Sequence, residues 1–133
     1  MTDVDRVIEW SESYRVAWET ADAELAASLF TEHGIYRNDI YQDEPNEGRA
    51  GVSEYWSDVT AAQSDVSVLM GRPFVDGDRA VVEFWTTMKV YDDPVTLGGA
   101  LLLDFDESGL CTALREYFNF TEGYHAPPPG WGT

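Results

Sequence analysis

The chain is short of basic residues. Lys and Arg number 8 against 25 Asp and Glu, for a formal net charge of −17. A field of that sign repels nucleic acid and anionic membranes, so neither is expected as a partner. The same shortage leaves a buried carboxylate few cations to pair with. Cysteine is nearly missing: Cys111 stands alone, which excludes an internal disulfide. The two histidines, His33 and His125, are far apart and form no His/Cys cluster of zinc spacing, so no metal site is expected. There is no glycine-rich phosphate loop and no Gly-x-Ser-x-Gly elbow, and no cofactor is expected. No apolar run approaches the roughly 20 residues of a membrane helix. The first residues, MTDVDRVIEW, begin acidic and lack the basic-then-apolar layout of a signal peptide, so the expected location is the cytoplasm.

What is present suits one domain with a substantial core: 133 residues, 44% hydrophobic. Val4, Val7, Ile8, Ser11, Tyr14 and Trp18 fall on one helical face, with Thr2 as an N-cap. Asp22 caps a second helix carrying Leu25, Ala26, Leu29 and Phe30 on its inner side, and Gly34 ends it. An extended segment, 35–41, and a loop, 42–48, follow. A third helix over about 49–63 has Val52, Tyr55, Trp56 and Val59 as its apolar stripe. The pattern then changes to strands at 66–75, 79–91, 95–106 and 110–120. Turns at Asp76-Gly77, Asp92-Asp93-Pro94 and Glu107-Ser108-Gly109 separate them. Gly98-Gly99 reads as a bulge or bend. Pro127-Pro128-Pro129 stops the sheet and implies an extended, exposed tail over 125–133. Helices followed by an antiparallel meander give an α+β fold, and a strongly bent sheet under three helices makes a cone-shaped α+β barrel enclosing a cavity.

Two stretches carry a family likeness. One is Tyr36-Arg37, Pro45-Asn46-Glu47-Gly48-Arg49, Val52 and Tyr55-Trp56. The other is Phe105-Asp106-Glu107-Ser108-Gly109 leading into Leu114-Arg115-Glu116-Tyr117-Phe118-Asn119. With the order of elements, they resemble the nuclear transport factor 2-like superfamily, in its SnoaL-like polyketide cyclase and ketosteroid isomerase-like branch. The resemblance covers roughly residues 5–122 and makes 1–124 a single SnoaL-like domain. It implies a deep, largely apolar pocket between the helices and the concave sheet face, a homodimer formed through the outer sheet face, and a small hydrophobic molecule as ligand.

Alternate strand residues share a face. In the long strand, Val82, Phe84, Thr86 and Met88 make an uncharged set that suits a protein–protein contact or an overlying helix. Val81, Glu83, Trp85, Thr87 and Lys89 mix aromatic and acid, which suits a cavity wall. In the last strand Leu114, Glu116, Phe118 and Phe120 share a face, which the resemblance turns inward, and a count from Gly77 puts Glu83 and Trp85 inward too. Glu83 has other readings, as a rim acid facing water or as the partner of Arg37 or Arg115. If buried without a cation, either glutamate is tuned toward neutrality, the state in which a carboxyl exchanges protons at working pH. The resemblance adds Tyr14, at the spacing of a tyrosine that binds a developing oxyanion, and Asp39, at the spacing of a proton-abstracting aspartate. Alternatively, Tyr14 is a core aromatic and Asp39 a turn acid. The second, protonated acid of the isomerases falls on Leu101 here, a departure from their pattern. The expected activity is proton transfer or addition/elimination of water, with Tyr14, Asp39, Glu83 and Glu116 as catalytic candidates. Trp18, Trp56, Trp85, Leu101, Leu114 and Phe118 are the expected apolar walls. The alternatives are a non-catalytic binder of a small apolar ligand and a dimeric interaction module.

Overall fold

A computed structural model describes residues 3–133. Helix α1, Asp3–Glu19, buries Val7, Trp10, Ser11, Tyr14, Ala17 and Trp18, a three-and-four spacing that stacks side chains on one stripe. The expected N-cap, Thr2, lies outside the described residues. Ile8 is exposed, and Trp10 takes an inner position instead, its indole N–H donating to the Leu29 carbonyl at 3.0 Å. Helix α2, Ala23–Ser28, is capped by Asp22, whose carboxylate accepts the Leu25 N–H at 3.0 Å. It stops well short of Gly34. Phe30–Arg37 is already strand β1, in parallel pairing with the far end of the chain, Phe30 opposite Cys111. Gly34 serves that strand: a Cβ there would lie 3.0 Å from the Cys111 carbonyl oxygen.

The two-residue strand β2, Asn46–Glu47, leads into α3, Gly48–Thr60, which buries Val52 and Trp56. The single strand expected at 66–75 is two, β3 (Gln63–Met70) and β4 (Phe74–Asp76). They part at Gly71-Arg72-Pro73, where proline has no N–H for a ladder. Strands β5 (Arg79–Val90), β6 (Asp93–Phe105) and β7 (Cys111–Glu122) complete the meander. Tyr91 and Asp92 both take positive φ in the β5–β6 turn, as a two-residue hairpin loop requires. Among the described residues the sheet order is β2-β1-β7-β6-β5-β3, with β4 also against β5. The sheet is therefore curved but open, ending at β2 and β3, rather than closed into a barrel. No helix of the described residues is long and apolar enough to cross a membrane.

Register decides which face is which. Val82 pairs with Leu101 and Leu101 with Glu116, so these three share a face, and Glu83, Ala100 and Tyr117 form the next row on the opposite one. Phe84 is fully buried and its ring lies 5.7 Å from that of Trp18 on α1. The Val82, Phe84, Thr86 and Met88 set is therefore the helix-covered core face. The expectation that Glu83 and Trp85 point into the concave side is overturned: both lie on the outer face. The uncharged set is not a surface through which two copies could pair. Nor do Gly98 and Gly99 make a bulge, since β6–β7 pairing runs unbroken from Val95–Glu122 to Asp104–Ala113. They permit close approach instead. A Cβ on Gly99 would lie 2.1 Å from the Tyr117 carbonyl oxygen, and one on Gly98 would lie 2.8 Å from the Trp85 ring.

The tail is exposed along much of its length but does not hang free. Gly123 N–H donates to the Pro94 carbonyl at 2.8 Å, and the Arg72 N–H donates to the Gly132 carbonyl at 2.8 Å. The segment between these ties crosses the outer face, where Trp131 meets Trp85.

Candidate functional site

Strand β7 changes its surroundings halfway along. β1 accompanies it only as far as the Arg37–Arg115 pair, and from Glu116 on it is bonded to β6 alone. Glu116 sits at this boundary, facing the helices, only 7% exposed. Tyr36, two residues before the point opposite it on β1, donates its hydroxyl hydrogen to Glu116 Oε1 at 3.0 Å. Tyr14 of α1 reaches the same oxygen at 3.4 Å and the Tyr36 oxygen at 3.4 Å, so its one hydrogen is shared between two acceptors. No described residue donates to Glu116 Oε2.

Burial, with no cation nearby, raises the Glu116 carboxyl to about 7, and the two tyrosine hydrogen bonds hold it from rising further. Burial first, and then the Glu116 charge, pushes Tyr14 and Tyr36 well above the ordinary tyrosine value. Tyr55, whose ring centroid lies 5.2 Å from that of Tyr36, is raised for the same two reasons. The tyrosines therefore stay protonated as fixed donors, and the carboxyl is the group of this cluster that titrates near neutrality.

Glu116 lines a depression of about 1050 Å³. The lining takes residues from both sheet faces, so the depression wraps the free half of β7. On the helix side it is bordered by Asp39, Ile40 and Phe118. It is open and carries exposed aromatic residues, Phe118 at 42% and Phe120 at 57%, beside polar ones such as Asn38 and Asp39. Asp39 is an exposed residue of the loop after β1, its carboxylate accepting the Tyr41 N–H at 2.9 Å.

The structure thus brings Tyr14 and Glu116 together and places Asp39 on the rim of the same depression. Glu83 and Trp85 reach the depression only at its outer-face end. Of the expected walls, Phe118 lines it, whereas Trp18, Trp56, Leu101 and Leu114 are buried in the core and do not. Tyr14 is also absent from the lining, because Trp10 stacks on it at 5.4 Å and Trp56 meets it edge-on at 5.3 Å. Sequence reasoning missed Tyr36 as a site residue, although it belongs to the first stretch of the family likeness. Its signal is the alternation of β1, which turns Tyr36 inward and Ile35 outward. Cys111, fully buried, has its thiol pushed up to about 12 by desolvation, which suits an inert core residue.

Comparison with known proteins agrees with this architecture. The model of the SnoaL-like domain family matches residues 10–114. Among solved structures, the chain is similar to SalBIII, an epoxide hydrolase/cyclase-like enzyme with a role in pyran ring formation in the polyether salinomycin. That likeness has a TM-score of 0.76 and 20% identity, covering 90% of this chain and 95% of that one. A hypothetical protein of ketosteroid isomerase-like fold from Catenulispora acidiphila DSM 44928, in complex with trimethylamine, gives 0.74 and 20%, over 82% and 84%. An LEH-like epoxide hydrolase of M. tuberculosis gives 0.72 and 16%, over 89% and 86%. No curated protein is similar enough in sequence to match.

Proposed function

The chain belongs to the SnoaL-like domain family, and from that premise we propose that it is an enzyme acting on a small hydrophobic molecule by acid/base chemistry of its own side chains. The reaction class is proton transfer or the addition or elimination of an oxygen nucleophile, with Glu116 as the proton carrier. One observation carries this reading: a carboxyl held near neutrality by burial, with both tyrosine contacts on Oε1 and none on Oε2, lining an open depression that also presents Phe118 and Phe120. Oε2 is then the oxygen available to a guest.

The geometry supports Glu116 as a general acid. The neutral carboxyl gives its proton from Oε2 to an oxygen of the substrate, such as an epoxide oxygen or a departing hydroxyl. Negative charge then develops on Glu116, and the hydrogen bonds from Tyr36 and Tyr14 strengthen as their acceptor becomes charged. Those donors are already in place, so the charge is met without reorganisation. In the reverse sense the carboxylate takes up a proton. Tyr14 and Tyr36 act through Glu116 and are positioning residues. Asp39, on the rim, is the base of this reading: its carboxylate takes the proton that the attacking water or hydroxyl releases, which balances the one Glu116 gives. That two structural relatives are an epoxide hydrolase/cyclase-like enzyme and an LEH-like epoxide hydrolase supports an oxygen nucleophile in this reading.

The non-catalytic binding reading has one observation in its favour, the filling of the cone's interior by Tyr14, Trp56, Leu101 and Leu114. Turnover of a panel of aryl and alkyl epoxides by wild type and Glu116→Gln separates the two. An enzyme loses at least about 10²-fold in kcat on losing its general acid, and its wild-type rate falls above pH 7. A binder shows ligand-raised thermal stability in both proteins and turnover in neither.

A further inference from the structure

We propose that the outer face of the sheet carries a second binding site, for a small alkylated ammonium ion, closed by the C-terminal tail. The site lies across the sheet from Glu116, and the argument for it is independent of any role for that residue.

Trp85 is laid down by its neighbour. Gly98, directly opposite on β6, has no side chain, and a Cβ there would come within 2.8 Å of the indole's six-membered ring. The ring therefore covers the glycine and turns its other face outward. Trp131 of the tail meets it with ring centroids 6.1 Å apart and planes at 74°, so two indoles form a corner. The corner is fixed at both ends. Trp85 Nε1–H donates to the His125 carbonyl at 2.8 Å, and the Arg72 N–H donates to the Gly132 carbonyl at 2.8 Å. Three consecutive prolines stiffen the tail between the ties.

Glu83 completes the corner. It is two residues before Trp85 on the same face of β5, a separation of about 7 Å. A Cβ on Gly71 would lie 2.9 Å from the Gly132 Cα and 3.3 Å from the Glu83 Cβ, so the stem of Glu83 stands beside the residue that follows Trp131. Glu83 is half-buried, yet its carboxylate has no hydrogen bond or ion pair with any described residue. Glu83, Trp85, Trp131 and Tyr117 all line the depression.

A lone carboxylate beside perpendicular indoles is a cation site, because the ring faces and the carboxylate attract the same charge. The kind of cation follows from what the corner lacks. A primary ammonium needs acceptors for three N–H groups. Here the side chains nearest Glu83 in the depression, Trp85, Trp131 and Tyr117, present mainly ring surface, and the His125 carbonyl already accepts the Trp85 N–H. An ammonium whose hydrogens are replaced by methyl groups keeps the charge and asks for no such partners.

The test uses the full chain and tryptophan fluorescence, titrated at constant ionic strength with choline and with 3,3-dimethylbutan-1-ol, its uncharged carbon isostere. Choline is expected to saturate and the alcohol to bind at least about tenfold more weakly. Glu83→Gln and Trp131→Phe should each weaken choline, the first by about tenfold or more, while Glu54→Gln on the exposed side of α3 leaves it unchanged. Equal binding of choline and the alcohol overturns the proposal. So does an unchanged affinity in Glu83→Gln, a loss in Glu54→Gln as large as in Glu83→Gln, or a titration with no saturation.

Discussion

Replacing Glu116 by Gln tests the physics of the site without a substrate. The substitution keeps shape and an acceptor oxygen for Tyr36 and Tyr14 but removes the charge. In the folded chain the carboxyl titrates at about 7 rather than at its ordinary 4.5. Between those values the folded chain holds a proton that the unfolded chain has released. The stability contributed by this group is therefore fully present below pH 4.5, declines as pH rises through the window, and is lost above about 7. Moving a carboxyl from 4.5 to about 7 corresponds to about 3 kcal/mol. Urea unfolding followed by tryptophan fluorescence at steps from pH 4 to pH 8.5 gives the two stabilities, and their difference removes the background of the other carboxylates, which both proteins share. The variant should gain on wild type across the window, by about 3 kcal/mol in total, and then run parallel to it. A difference that stays flat from pH 4 to pH 8.5 refutes the claim that Glu116 is buried without a counter-ion.

Tyr36→Phe removes the shorter of the two hydrogen bonds on Glu116 Oε1. It should raise the Glu116 titration above about 7 and cost more at pH 8.5, where the acceptor is charged (about 1.5–3 kcal/mol), than at pH 5 (about 1 kcal/mol); equal costs at the two pH values count against the bond. Phe84→Ala opens a cavity under α1 and should cost about 3–5 kcal/mol in urea unfolding. If the change instead leaves stability intact and halves the sedimenting mass, Phe84 lies at a subunit contact and the face assignment of β5 is wrong. Gly99→Ala sets a methyl against the Tyr117 carbonyl and should loosen β6–β7, read as faster amide exchange at residues 117–120 than in wild type.

The sequence made most elements legible because their signals are local. The Asp22 cap, the Asp76-Gly77 turn and the stripe holding Tyr14 and Trp18 need only a few neighbouring residues to identify them. What failed depends on distant pairing. The helix-like run through Phe30 is a strand because Cys111 lies opposite it, about eighty residues on. The alternation in β5 was correctly read as two sets, but alternation carries no information on which set faces the helices. That is fixed by the ladder from Val82 through Leu101 to Glu116. Glu83 misled for a physical reason, since an acid within an apolar run fits either a cavity or an outer face lined by tryptophan. The tail was legible as a stop to the sheet, whereas its return to Trp85 rests on a contact between residues 85 and 131.

The same ladder explains where the acid of this site stands. In the isomerase-like pattern a protonated acid belongs at the position of Leu101, and here Leu101 is apolar and fully buried. Its partner on the next strand is Glu116, which stands one strand nearer the end of the sheet at which β1 departs. The position changes the approach. At Leu101 an acid would face the packed interior beneath α1, where Tyr14 and Trp56 fill the space. At Glu116 it keeps its desolvation and its tyrosine donors while bordering the depression at the free half of β7. Burial keeps the proton on the carboxyl near neutrality, and on the proposed function the depression at the free half of β7 is where a guest reaches it. On the proposed function a guest comes in past Phe118 and Ile40, and bulk added at that rim, as in Ile40→Trp, should raise KM for any substrate while leaving the Glu116 titration near 7.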